Sequence, residues 1–136
     1  MHSRRGRDGC GRLRALLEER YGDPVVPLSR WGREVARWAI TTNLPRPQVE
    51  YRIVDAAGDF VAQVDLAWPE QRVALELDSV QFHLNRTSFE RDPRRRNQVI
   101  AHGWDLRTCT WDMWVHDRPT LRRQLWEALM LHSRTA

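Results

Sequence analysis

The sequence contains no lysine; all 22 of its basic residues are arginine. That excludes every mechanism built on a catalytic lysine. A GC-rich codon bias, which replaces lysine with arginine throughout a genome, accounts for most of this imbalance. Cysteine is scarce as well. Cys10 and Cys109 lie far apart with no Cys-x-x-Cys spacing, which excludes a zinc ribbon and a disulfide framework. Both read as reduced thiols, with Cys109 inside a buried strand. Long apolar runs are also missing, so no transmembrane segment fits. Met1-His2-Ser3-Arg4-Arg5 is basic, but no apolar signal-peptide core follows it. The default expectation is a cytoplasmic protein with no membrane partner.

What is present is ordinary for a globular chain. The 136 residues make one domain's worth, and 41% hydrophobic content is enough for one sizeable core. The net charge of +4 and pI near 10.0 point to a polyanionic partner. The arginine guanidinium is a fork that matches phosphate oxygens.

Residues 1–10 read as a disordered basic tail and residues 11–136 as a single domain. Leu13, Leu16 and Leu17 recur at helical spacing between Gly11 and Arg20, and Gly22-Asp23-Pro24 ends that helix. Ser29 is the expected N-cap of a second helix, Arg30–Thr42, with an apolar stripe of Trp31, Val35, Trp38 and Ala39. Asn43-Leu44-Pro45-Arg46-Pro47 breaks it. The period then changes. Val49, Tyr51 and Ile53 alternate, Asp55–Asp59 turns, and Phe60–Trp68 returns with Val64 and Leu66 on its core side. A turn at Pro69-Glu70-Gln71 leads to a third strand, Arg72–Asp78, with Val73, Leu75 and Leu77 on one face. A polar loop, Ser79–Thr87, precedes a helix ending near Gly103, a natural C′ position. Trp104–Thr110 is a fourth strand. The last helix spans Pro119–His132 and turns Leu121, Leu125, Leu129 and Trp126 inward. The order α-α-β-β-β-α-β-α predicts a two- or three-layer α/β domain around a mixed sheet.

Strand alternation selects the chemistry. Asp65 should point away from Val64 and Leu66, and Glu76 away from Leu75 and Leu77, with Asp78 on the face of Glu76. A short hairpin joins the two strands, so the three carboxylates can converge. Such a cluster is costly unless a cation neutralises it, and Mg²⁺ is the hard ion that takes carboxylate oxygens and water. An ion of that kind beside arginine-rich surface suits phosphodiester hydrolysis. The plain alternative is a set of solvated strand-edge acids. Against it, both acids are embedded in apolar runs, Val64-Asp65-Leu66 and Leu75-Glu76-Leu77. His83 follows in Gln81-Phe82-His83; a lone histidine is usually a bystander, but beside carboxylates it is a candidate acid or base. Arg91, Arg94, Arg95 and Arg96 mark a helix start, with Asp92 as N-cap and Pro93 first in the helix; they also form a candidate phosphate-binding cluster. Trp111 and Trp114 are candidates for stacking on an unpaired base or for core packing, and core packing is the expectation.

These motifs resemble a known family. Val64-Asp65-Leu66-Ala67-Trp68-Pro69-Glu70, Val73-Ala74-Leu75-Glu76-Leu77-Asp78-Ser79 and Phe82-His83 come first. Phe89-Glu90-Arg91-Asp92-x-Arg94-Arg95 and Gly103-Trp104-x-Leu106-Arg107 follow. In order and with compatible gaps, they are similar to the very-short-patch-repair-like (Vsr-like) endonucleases of the PD-(D/E)XK superfamily, most of all to an uncharacterised actinobacterial branch. The likeness is carried by Gln63–Trp111 and extends over residues 11–131. The resemblance implies a restriction-endonuclease-like core with a mixed sheet of four or slightly more strands flanked by helices. It implies a Mg²⁺-dependent DNA endonuclease, with Mn²⁺ as substitute ion, acting on double- or single-stranded DNA. Asp65 is similar to the family's central metal-ligating aspartate, and Glu76 occupies the second acidic position. Asp78 stands where the superfamily usually has lysine and the repair enzymes histidine. His83 resembles the histidine thought to assist the leaving group or the water. The glutamate usual in the helix before the Leu-Pro segment aligns with Gly32, with Glu34 two residues away as the possible additional acid. Ser79 replaces a usual glycine, and the structural zinc ligands of the repair enzymes are missing, so mismatch repair is not implied. Relatives of this branch often carry a winged-helix, antitoxin-like domain, so such a domain is an expected fusion or partner. The alternative from a different class is a catalytically impaired nucleic-acid-binding or regulatory domain on the same fold.

Overall fold

The computed structural model describes residues 28–78 and 93–134, and every structural statement below concerns these. In chain order they form α1 (Leu28–Thr41), β1 (Gln48–Val54), β2 (Phe60–Trp68), β3 (Val73–Asp78), α2 (Pro93–Ala101), β4 (Asp105–Thr110), α3 (Trp111–His116) and α4 (Arg118–Arg134). The expected helix at Gly11–Arg20 and the loop Ser79–Thr87 lie outside the described residues.

Local chemistry sets the boundaries. Helix α1 begins at Leu28, so Ser29 stands inside its first turn rather than at the N-cap. It ends in a Schellman motif: the Asn43 N–H donates to Ile40 O at 3.2 Å and the Leu44 N–H to Ala39 O at 2.9 Å, with Asn43 at φ 70°. Leu44 is buried against the same cluster as Ala39, the apolar contact that accompanies this cap. Helix α2 is described from Pro93, with the expected N-cap Asp92 outside the described residues, and it ends the same way. The Gly103 N–H donates to Ile100 O and the Trp104 N–H to Val99 O, with Gly103 at φ 89°. Two features were not expected from the sequence. Thr110 caps a separate short helix, α3, by accepting the Met113 N–H at 3.1 Å. Trp126 is exposed on α4, with the Arg122 guanidinium 5.4 Å from its ring, rather than turned inward.

The four strands form one open sheet in the order β1-β2-β3-β4. Pairs β1–β2 and β2–β3 are antiparallel and β3–β4 is parallel, so the sheet is mixed and flanked by helices. One face packs Leu66, Trp68, Val73, Leu75, Leu77 and Cys109 against α1, α3 and α4. The other packs Ile53, Ala62, Val64, Ala67 and Ala74 against Val99 of α2. The tryptophans do much of the first packing. Trp31 meets Trp111 edge-on at 4.9 Å, and Trp38 meets Trp114 at 5.5 Å. Trp111 and Trp114 are therefore spent on core packing.

The sheet also corrects one expected alternation. Val64 and Leu66 lie on opposite faces, as do their β1 partners Tyr51 and Val49. Between them stand Glu50, at φ 54°, and Asp65. A left-handed residue inside a strand acts like a bulge and turns the side chains that follow to the other face. Beyond Leu66 and Leu75 the β2–β3 ladder ceases, while β1 and β2 stay paired out to Val54 and Phe60. Asp65 thus sits where the hairpin changes face and β2 parts from β3.

Candidate functional site

Where β2 leaves β3, Asp65 meets the β3 backbone at the Leu77 N–H. Its Oδ2 accepts that N–H at 2.8 Å. The bond sets the Asp65 carboxylate against the β3 backbone between Glu76 and Asp78.

Glu76 points to the α2 face and is the only buried charged residue among those described. A buried carboxylate needs compensation. Arg95 Nη1 lies 2.6 Å from Oε2, and Arg96 Nη1 lies 3.2 Å from Oε1. Arg95 also donates through Nη2 to Gln63 O, joining α2 to both β2 and β3. Two of the four expected phosphate-binding arginines therefore hold a sheet carboxylate. Arg94 is exposed beside them. Asp78 is half-buried at the end of β3, opposite Thr110 in the parallel register. His83 and Arg91 lie outside the described residues.

The helix expected to supply a further acid lies across the other face. Gly32 is buried, and a Cβ there would stand 3.5 Å from Val49 Cγ1 and 3.9 Å from Leu77 Cδ1. Position 32 is thus over the residue whose N–H Asp65 holds. Glu34 is turned away, half-exposed, and pairs with Arg30 at 3.5 Å one helical turn earlier. The structure brings Glu76, Arg95 and Arg96 together, places Asp65 on the Leu77 N–H of the same strand, and leaves Glu34 apart.

The donor chemistry fits Mg²⁺. This ion is commonly held by one or two carboxylates, with waters and substrate phosphate completing its shell. Asp65 and Glu76 offer two carboxylates on neighbouring strands. Among the described residues no three His, Cys, Asp or Glu side chains gather closely enough to hold one ion.

A second polar cluster was not anticipated. Asp105 accepts from Arg107 Nε at 2.6 Å and Nη2 at 2.9 Å, and its Oδ2 lies 3.1 Å from His132 Nε2. The Arg107 fork holds the Asp105 carboxyl below the usual carboxylate range. This triad pins the start of β4 to the end of α4. Cys109 is inert by comparison; burial pushes its thiol up to about 12.

The pairing of Glu76 had a legible signal. An acid inside an apolar strand must meet a cation, and in a chain without lysine that cation is arginine. No comparable signal marked the Glu50–Asp65 face change, because neither residue is a glycine.

Two uncharacterised proteins of Mycobacterium tuberculosis, named MT2308 and Rv2248, are each 31% identical to this chain over 102 residues. The match covers 75% of this chain but 36% of each relative, so the chain spans little more than a third of the length of the curated relatives it matches. No family model matches the sequence, and no solved structure matches it. No helix among the described residues is long and apolar enough to cross a membrane.

Proposed function

We propose that this chain is a Mg²⁺-dependent DNA endonuclease with a restriction-endonuclease-like core, cleaving phosphodiester bonds at Asp65 and Glu76. The observation that carries the reading is the position of Asp65. Its carboxylate lies at the parting of β2 and β3, fixed by the Leu77 N–H beside Glu76. Strained backbone next to it, Glu50 at φ 54°, is the kind of feature that functional sites retain. The net charge of +4 favours a polyanionic substrate. The motif resemblance supports the Vsr-like PD-(D/E)XK assignment.

In this reading Asp65 and Glu76 would hold the ion, which when bound supplies an activated water and charge stabilisation at the phosphate. Asp65 stays oriented through the Leu77 N–H. Arg94 and Arg96, on the sheet-facing helix start, meet the substrate backbone. Asp78, at the end of the same strand, would orient a water. His83 is the proposed proton donor to the leaving group. A cytoplasmic site of action and a winged-helix, antitoxin-like partner belong to the same proposal.

The test is incubation of supercoiled plasmid and single-stranded DNA with Mg²⁺ or Mn²⁺. Nicking or cleavage that disappears in Asp65→Ala supports the reading. Intact DNA under every divalent ion defeats it.

A second reading draws on the Glu76–Arg95 pair. A carboxylate held by two guanidiniums is already neutralised, which favours a nucleic-acid-binding domain that does not cut. DNA binding that persists in EDTA and ignores Asp65→Ala would select it.

A further inference from the structure

We propose that Arg95 and Arg96 form a latch through which polyanion binding opens the Glu76 carboxylate to a divalent cation. The inference rests on the reading of Asp65 and Glu76 as an ion-binding pair.

The two arginines hold Glu76 unequally. Arg95 has a side chain 9% exposed, and its second nitrogen is fixed on Gln63 O, so it is anchored at both ends. Arg96 is 41% exposed and makes a single contact, 3.2 Å from Oε1. An ion pair of that exposure is weak and readily exchanged. Arg96 is therefore the movable arm. It stands on the first turns of α2 next to exposed Arg94, where phosphate oxygens in solvent can reach it.

Charge gives the latch its direction. Asp65, Glu76, Arg95 and Arg96 are formally neutral together, which offers a cation no net attraction. Once phosphate draws Arg96 away, the remaining three are net negative and Oε1 has lost its donor. The site then favours a divalent ion. By linkage the effect is mutual: an ion at Glu76 releases Arg96 toward phosphate and tightens DNA binding by the same factor. The device limits cation capture when no substrate is bound. Arg96 is here a positioning residue that acts through Glu76.

Calorimetric titration of Mn²⁺ into the full chain tests this, with and without a cleavage-resistant phosphorothioate duplex. Arg96→Gln, at a half-exposed position, is compared with Arg123→Gln, an exposed arginine of α4 that carries the same charge change. Without duplex, Arg96→Gln should bind Mn²⁺ about 5-fold or more tighter than wild type, the lower range of measured couplings, with Arg123→Gln unchanged. Duplex should then improve Mn²⁺ affinity less in Arg96→Gln than in wild type. In EDTA, Glu76→Gln should bind duplex tighter than the equally charge-altered Glu127→Gln. Mn²⁺ binding that is indifferent to Arg96 overturns the latch alone. No Mn²⁺ binding to any variant, with or without duplex, overturns the ion-binding pair together with the latch.

Discussion

Arg95 Nη1 and Glu76 Oε2 lie 2.6 Å apart between α2 and β3, with both side chains 9% exposed. Removing one member of such a pair leaves the other charge buried and uncompensated. Arg95→Ala should cost about 3 kcal/mol, at the lower end for a broken buried pair because Arg96 still meets Glu76. Arg96→Ala, at a half-exposed position, should cost under about 1 kcal/mol. Urea unfolding of both variants reads the contrast. Equal losses would mean that Arg95 is not the anchor of α2 on the sheet.

The Asp65 carboxylate does two separable things. It accepts the Leu77 N–H at 2.8 Å, and it brings negative charge to the parting of β2 and β3. Asp65→Ala removes both, and the lost hydrogen bond costs about 1–3 kcal/mol. Asp65→Asn keeps an acceptor oxygen and removes only the charge. Metal-dependent cleavage should vanish in both variants, while the melting temperature should fall clearly only in Asp65→Ala. Cleavage that survives in Asp65→Asn would remove Asp65 from the chemistry.

Gly32 lies in the interior of α1, where glycine costs helix stability. A methyl group there would meet Val49 Cγ1 at 3.5 Å and Leu77 Cδ1 at 3.9 Å, ordinary contact distances. Gly32→Ala should therefore stabilise the protein by about 0.5–1 kcal/mol. A higher urea midpoint with an unchanged denaturant slope is the expected result. A loss of stability would show that the helix lies closer to β1 and β3 than these distances indicate.

Acid should weaken the seam between β4 and α4. The Arg107 fork, chiefly, holds the Asp105 carboxyl below its ordinary value, and His132 adds to the effect. A depressed carboxyl stabilises the fold above its unfolded pKa, about 3.9, and that contribution is lost as pH falls through the lower folded value. The stability difference between wild type and Asp105→Asn should be present at about pH 5 and shrink below about pH 4. A difference independent of pH down to acid unfolding would exclude the carboxylate as its source.

Much of this architecture was legible because period and punctuation agree. Apolar alternation located β3, whose Val73, Leu75 and Leu77 face one cluster. The Asn43 and Gly103 stops located two helix ends. Asp65 and Glu76 stood out as acids inside apolar runs. The sequence was silent where a backbone conformation, rather than a residue preference, decides the outcome. Val64 and Leu66 read as one face because nothing marks Glu50 as left-handed. The pairing of Arg95 and Arg96 with Glu76 was not read, because their spacing records a helix start but not the strand beneath it. Trp126 read as core from helical spacing, yet Leu121, Leu125, Ala128 and Leu129 already fill that face.

Glu50 offers the last test, because its φ of 54° is adopted opposite Asp65 at the point where β1 and β2 change face. A left-handed conformation costs an L-residue about 1–2 kcal/mol, which glycine avoids. Glycine in a strand gives back about 0.5–1 kcal/mol through backbone entropy. Glu50→Gly should therefore leave stability unchanged or raise it by up to about 1.5 kcal/mol. A β-branched residue is the opposite case: Glu50→Val suits a regular strand but resists positive φ. It should destabilise the protein, and by disturbing the switch it should also weaken the Asp65 bond to the Leu77 N–H. Hydrogen exchange at the Leu77 amide reads this directly, with faster exchange expected in Glu50→Val and wild-type protection in Glu50→Gly. If valine stabilises instead, β1 runs as a regular strand through Glu50. Val64 and Leu66 would then share a face after all, and Asp65 would stand in an ordinary ladder rather than at its parting.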